Sequence, residues 1–65
     1  MKFGRRIRKI RNTKGINQTV LADKVGTDQA TVSRIENGKQ EPCLRFIELL
    51  SIGLKTPLDE LFKDL

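Results

Sequence analysis

Residues 18–37 read QTVLADKVGTDQATVSRIEN, and the rest of the chain is organised around them. Asn17, just before the stretch, is a favoured N-cap, and the spacing predicts a helix over 18–25 with Gly26 just past its end. Asp28 is the N-cap of a further helix over 29–37, which Gly38 ends. Only a turn centred on Gly26 and Thr27 joins the two. Ala22 lies four residues before Gly26, where a small side chain lets the helices cross closely. Glycine takes the positive φ of so tight a turn at little steric cost. Val32 and Ile35 point from the later helix back toward a core.

Outside this pair the apolar spacing is also helical. Phe3, Ile7 and Ile10 recur at i, i+4 and i+7 and predict a first helix over 3–13, ended at Lys14 and Gly15. Pro42 opens a fourth helix that reaches Leu54. A fifth starts near Pro57, with Thr56 or Pro57 at its cap and Leu58, Leu61, Phe62 and Leu65 along one face. No strand alternation, repeat or low-complexity stretch interrupts this pattern. Short connections of this kind suit a compact all-α fold. Residues 1–65 read as one domain of five helices.

Composition narrows the function. A chain of 65 residues has room for one small core. Its hydrophobic share of 37% is ordinary for a globular domain. No apolar run approaches the roughly 18 residues of a membrane span, so no membrane partner is expected. The opening MKFGRRIRKIR has neither an apolar stretch nor a small-residue cleavage site, and does not read as a secretory signal. The lone Cys43 excludes an intramolecular disulfide and fits a reducing compartment, so a cytoplasmic location is expected. Cys43 itself, at the start of the fourth helix, is expected to be a small buried residue. Histidine is absent, so zinc binding and histidine-based catalysis lack their side chains. Asp23, Asp28, Asp59 and Glu60 sit at caps or on helix surfaces without a second group to build a site. No catalytic residue, metal or cofactor is expected.

The net charge of +5 is unevenly spread. Lys2, Arg5, Arg6, Arg8, Lys9, Arg11 and Lys14 fall within the first fourteen residues, which hold no acid. From Glu41 onward acids outnumber bases by five to three. One end of the chain can therefore face a polyanion and the other cannot.

A small residue, a glycine four later and two aliphatics at these offsets describe a helix-turn-helix. The ordered pattern IRKIR, KGINQTVLADKVGTDQATVSRIENGK, a following Pro42 and LDELF resembles the Cro and phage-repressor helix-turn-helix family, often called the XRE family, over nearly the whole chain. The resemblance implies a five-helix, lambda-repressor-like DNA-binding domain with its helix-turn-helix at the second and third helices. It also implies a bacterial or phage-encoded regulator, most often a repressor, that binds a two-fold double-stranded DNA operator as a homodimer.

Helical geometry then sorts the third helix. Counting about 100° per residue from Val32, Ile35 and Glu36 fall on the inner arc. Ala30, Arg34 and Asn37 point outward, with Thr31 and Ser33 on the flanks. Small residues around one long arginine suit a helix pressed into a groove, although an ordinary polar surface has the same composition. Arg34 can bind guanine O6 and N7, Gln29 adenine N6 and N7, and Ala30 or the Thr31 methyl a thymine methyl. The positions matching the family's base-reading sites are Gln29, Ala30, Arg34 and Ser33.

Phosphate contacts are expected from helix N-termini and loops. Gln18 opens the second helix at its positive dipole end, and Thr27 lies in the turn. The resemblance implies that Gln18 touches a phosphate and supports the first base-reading residue, and that Asn37 and Lys39 form a second phosphate clamp. Arg5, Arg6, Lys9 and Lys14 add longer-range attraction. Glu41 departs from the neutral or basic residue usual in that loop.

Arg11 lies on the inner arc of the first helix, and Glu36 on that of the third. An unpaired buried guanidinium would cost several kcal/mol, so each is the other's natural partner. The resemblance also implies this ion pair. On the fourth helix Leu44, Ile47, Leu50 and Leu54 match the family's core positions, whereas Phe46, Leu49 and Ile52 form a second apolar stripe. That stripe, with Leu58, Phe62 and Leu65, is either a dimer surface or a wider core. A toxin or other protein held through the same surface is the alternative partner, as in an antitoxin or protein-interaction module.

Overall fold

The computed structural model describes residues 2–63 and forms five helices with no strand among them. They are α1 (Lys2–Thr13), α2 (Gln18–Val25), α3 (Gln29–Glu36), α4 (Leu44–Leu54) and α5 (Leu58–Leu61). None is long and apolar enough to cross a membrane.

Local chemistry sets most boundaries. The Asn17 side chain accepts from the Val20 backbone N–H at 2.8 Å, and Asp28 does the same for Thr31. Gly26 ends α2 in the left-handed region at φ 79°, and the Thr27 N–H donates to the Ala22 carbonyl at 2.9 Å. The fourth helix begins at Leu44 rather than Pro42: Cys43 is an extended N-cap at ψ 167° and makes no side-chain cap bond. The third helix stops at Glu36, where Asn37 leaves the helical region.

The core gathers Phe3, Ile7 and Ile10 of α1, Leu21, Ala22 and Val25 of α2, Val32 and Ile35 of α3, Leu50 and Leu54 of α4, and Leu61 of α5. Helix α3 packs on α1 and α2, and α4 packs on α2 and α5. The crossing of α1 and α3 is tight because Gly4 carries no side chain: a Cβ there would stand 2.7 Å from the Glu36 carbonyl oxygen and closer still to that of Ile35. Helix α5 is a single turn pinned to α1. Arg6 donates through Nε to the Glu60 carbonyl at 2.9 Å and through Nη2 to the Glu60 carboxylate at 3.0 Å, and the Phe3 and Phe62 rings stack at 5.0 Å.

Three expectations are corrected. Leu44 is 75% exposed rather than in the core; it is the first residue of α4, and helical side chains lean toward the N-terminus, here past the edge of the core. Cys43 is exposed, because it lies on the extended approach to α4 rather than within a packed turn. Arg6 faces α5 instead of adding to a free basic surface.

The second stripe on α4 is divided. Phe46 and Leu49 are half-buried against the core, while Ile52 is 71% exposed. Leu58 of α5 and Phe62 at its C-cap are exposed. Leu65 lies outside the described residues.

Candidate nucleic-acid interface

Helix α3 presents two contrasting faces. Val32, Ile35 and Glu36 are buried, Gln29, Ala30 and Arg34 are exposed, and Thr31 and Ser33 lie between at the flanks. Asn37 and Lys39 follow it on an exposed turn.

The inner face carries a charge. Glu36 has a fully buried side chain, and Arg11 donates to it twice, from Nε to Oε2 at 2.7 Å and from Nη2 to Oε1 at 3.0 Å. The remaining Arg11 amino group donates to the Ile16 carbonyl at 2.9 Å. Burial pushes the Glu36 carboxyl up, but the hydrogen bonds from Arg11, Gln18 and Arg8 and the Arg11 charge together hold it below its ordinary range. The same hydrogen bond raises the Arg11 guanidinium against the opposing effect of burial. Both groups are therefore charged at neutral pH. No buried side-chain nitrogen or oxygen among the described residues lacks a hydrogen-bond partner.

Polar side chains run from this buried pair to the surface. Gln18 Nε2 donates to Glu36 Oε1 at 3.0 Å, and Gln29 Nε2 donates to Gln18 Oε1 at 2.6 Å. The chain Arg11–Glu36–Gln18–Gln29 thus links the inside of α1 to the first outward residue of α3. On the other flank Arg8 donates from Nε to Glu36 Oε1 at 3.3 Å and from Nη2 to the Asn37 side chain. Asn37 in turn donates to the Ser33 hydroxyl at 3.3 Å.

Charge counting marks Arg8. Arg11 and Glu36 neutralise each other, so the cluster keeps one positive charge, carried by an Arg8 side chain that is 43% exposed beside Asn37. In the sequence Arg8 is one of seven cations in the first fourteen residues. Its signal was the three-residue offset from Arg11, which turns it to the flank of α1 that meets α3. At the far end of α3, Arg34 donates from Nε to Gln40 Oε1 at 2.9 Å and from Nη2 to the Thr31 hydroxyl at 3.1 Å. Gln40 carries no signal in the sequence, since only the path of the turn after α3 brings it there.

The two helix N-termini differ electrostatically. Asp28 occupies that of α3, and hydrogen bonds from Thr31 lower its carboxyl below the ordinary range. Asn17, uncharged, caps α2, so no carboxylate occupies its cap position. Thr27 is half-buried in the turn, with its backbone N–H turned to Ala22.

Two short helices crossed at a glycine turn, with a polar outer face on the later one and a basic flank beside it, define a helix-turn-helix DNA-binding protein. A model of the helix-turn-helix family matches residues 7–61. The control protein C.MunI of a Mycoplasma species is 36% identical over 66 residues, spanning 100% of this chain and 89% of that protein. The crystal structure of the restriction-modification controller protein C.AhdI from Aeromonas hydrophila superposes with a TM-score of 0.91 at 38% identity, over 94% of this chain and 88% of that one. The P22 c2 repressor, crystallised with a synthetic operator, gives a TM-score of 0.84 at 33% identity, over 94% and 92%. The chain belongs to the helix-turn-helix family and is a DNA-binding transcriptional regulator.

Proposed function

We propose that residues 1–65 act as one repressor-type domain that binds a two-fold operator as a homodimer, with α3 of each copy in the major groove. The observation that carries this reading is the division of α3: Gln29, Ala30 and Arg34 are exposed while Val32, Ile35 and Glu36 anchor the helix from behind. Gln29, Ala30, Arg34, Ser33 and Thr31 then face base edges. Gln18, Thr27, Asn37 and Lys39 face phosphates on either side, and Arg8 adds its uncompensated charge beside Asn37. The names of the similar proteins support a regulatory role: one is a control protein, one a restriction-modification controller, and one a repressor crystallised with an operator.

The surface assigned to the second copy is Ile52 of α4 with Leu58 of α5 and Phe62 just past its end. It lies on helices that pack on each other rather than on α3. Phe46 and Leu49, the other members of the second stripe on α4, pack against the core. A second copy is preferred to a toxin as occupant because a two-fold operator requires a two-fold protein.

The test is selection from a pool of random duplex DNA at near-physiological salt, followed by sequencing of what the protein retains. The reading expects a two-fold motif with half-site centres about 34 Å apart. Arg34→Ala is expected to relax the preference at one base pair of each half-site. Retention without enrichment, lost as salt rises, would leave only counterion-release binding and sink the reading.

A further inference from the structure

Arg34 is exposed, yet its guanidinium is already held. Of its five N–H groups, Nε donates to Gln40 Oε1 at 2.9 Å and one on Nη2 donates to the Thr31 hydroxyl at 3.1 Å. The turn after α3 fixes where Gln40 stands. Gly38 takes φ 74°, its N–H donates to the Ile35 carbonyl at 3.1 Å, and the Lys39 N–H donates back to the carbonyl of Arg34 itself at 2.8 Å. The residue after Lys39 is thereby returned over the helix end that bears Arg34.

We infer that Gln40 is a positioning residue for Arg34: with Thr31 it holds the Nε and Nη2 side of the guanidinium so that the terminal Nη1 and Nη2 groups are presented to a guanine. Both hydrogens on Nη1 and the second on Nη2 are left for the ligand. Guanine O6 and N7 accept two parallel N–H donors in the major groove, a pairing that the terminal edge of a guanidinium matches. The pre-formed contact to Gln40 removes rotamers that the long arginine chain would otherwise lose on binding. Gln40 thus contributes to the choice of base without touching it. The inference rests on Arg34 being the base-reading residue proposed above.

The experiment compares wild type, Gln40→Ala, Gln40→Glu, Arg34→Ala and the Arg34→Ala/Gln40→Ala double variant in selection from the same random duplex pool. Their thermal melting is followed in parallel. Gln40→Ala is expected to lower the guanine preference at the Arg34-dependent position roughly three- to tenfold, the range for an arginine that must be ordered on binding. Other positions and the melting temperature are expected to be unchanged. Gln40→Glu keeps the acceptor oxygen and is expected to keep the preference, with binding weakened evenly across sequences by its charge. In the Arg34→Ala background, Gln40→Ala is expected to add nothing. An unchanged guanine preference in Gln40→Ala, or its equal loss in Gln40→Glu, overturns the role of Gln40 while leaving Arg34 as a reader. If Arg34→Ala changes no base preference, the reading of Arg34 falls, and the role of Gln40 with it.

Discussion

Gly4 of α1 lies against the backbone of Glu36 at the end of α3, so close that a Cβ on it would stand 2.7 Å from the Glu36 carbonyl oxygen. The contact sets the distance between the helix that carries Arg11 and the helix that carries its partner. Helix propensity alone favours alanine over glycine in a helix interior by about 1 kcal/mol. The clash is with backbone, which has no rotamer to yield. Gly4→Ala is therefore expected to destabilise the protein by about 2 kcal/mol or more, read as a lower urea midpoint. A midpoint equal to or above wild type would show that α1 shifts freely over α3.

The Arg11–Glu36 pair is expected to matter mainly when broken. Glu36→Gln keeps the shape but removes the charge that faces Arg11, and is expected to cost about 2 kcal/mol. Replacing both partners, as Arg11→Met with Glu36→Leu, is expected to cost clearly less than the sum of the two single changes. Additive losses in a denaturation cycle would mean that the two side chains act independently.

Acid sensitivity follows from the same carboxylate. The Glu36 carboxyl is lowered in the fold relative to an ordinary value of 4.5. Between the folded and unfolded values the unfolded chain binds more protons, so stability rises with pH there. The contribution is fully present above the unfolded value and is lost as pH falls through the folded one. Urea midpoints taken from about pH 3 to about pH 6 are expected to fall less steeply on the acid side in Glu36→Gln than in wild type. Parallel acid limbs would remove Glu36 as their source.

Lys55 ends α4 at φ 51°, the only non-glycine residue with positive φ among the described residues. A left-handed conformation costs a side-chain-bearing residue roughly 1 kcal/mol, and glycine avoids it. Lys55→Gly is expected to stabilise the protein by up to about that amount, measured by thermal unfolding. A lowered melting temperature would show that the lysine side chain contributes more than its backbone strain removes.

Ile52 separates the fold from the assembly. The residue is 71% exposed, so Ile52→Glu is expected to leave the melting temperature of the isolated chain nearly unchanged. On the dimer reading it shifts sedimentation toward the monomer. Leu49→Glu is a poorer probe, because Leu49 packs on the core and its loss would unfold the protein as well. An Ile52→Glu variant that sediments as wild type, where wild type is a dimer, would move the dimer surface elsewhere.

What the sequence determined by itself was whatever is settled within a turn or two of helix. Asn17 and Asp28 cap through side chains that reach only three residues on, Gly26 supplies a positive φ on the spot, and the period of Val32, Ile35 and Glu36 assigns the faces of α3. The five-helix order and the family pattern follow from signals of this range. Tertiary structure alone decided which faces meet. It turned Arg6 onto Glu60, fifty-four residues away, and set Arg8 beside Asn37 with a charge that the Arg11–Glu36 pair leaves over. It left Leu44 in water because α4 starts beyond the edge of the core, and it brought Gln40 back to Arg34 through the turn at Gly38. Composition does not encode these contacts, because each depends on the angle and separation at which helices cross, and those are set by packing among residues far apart in the chain.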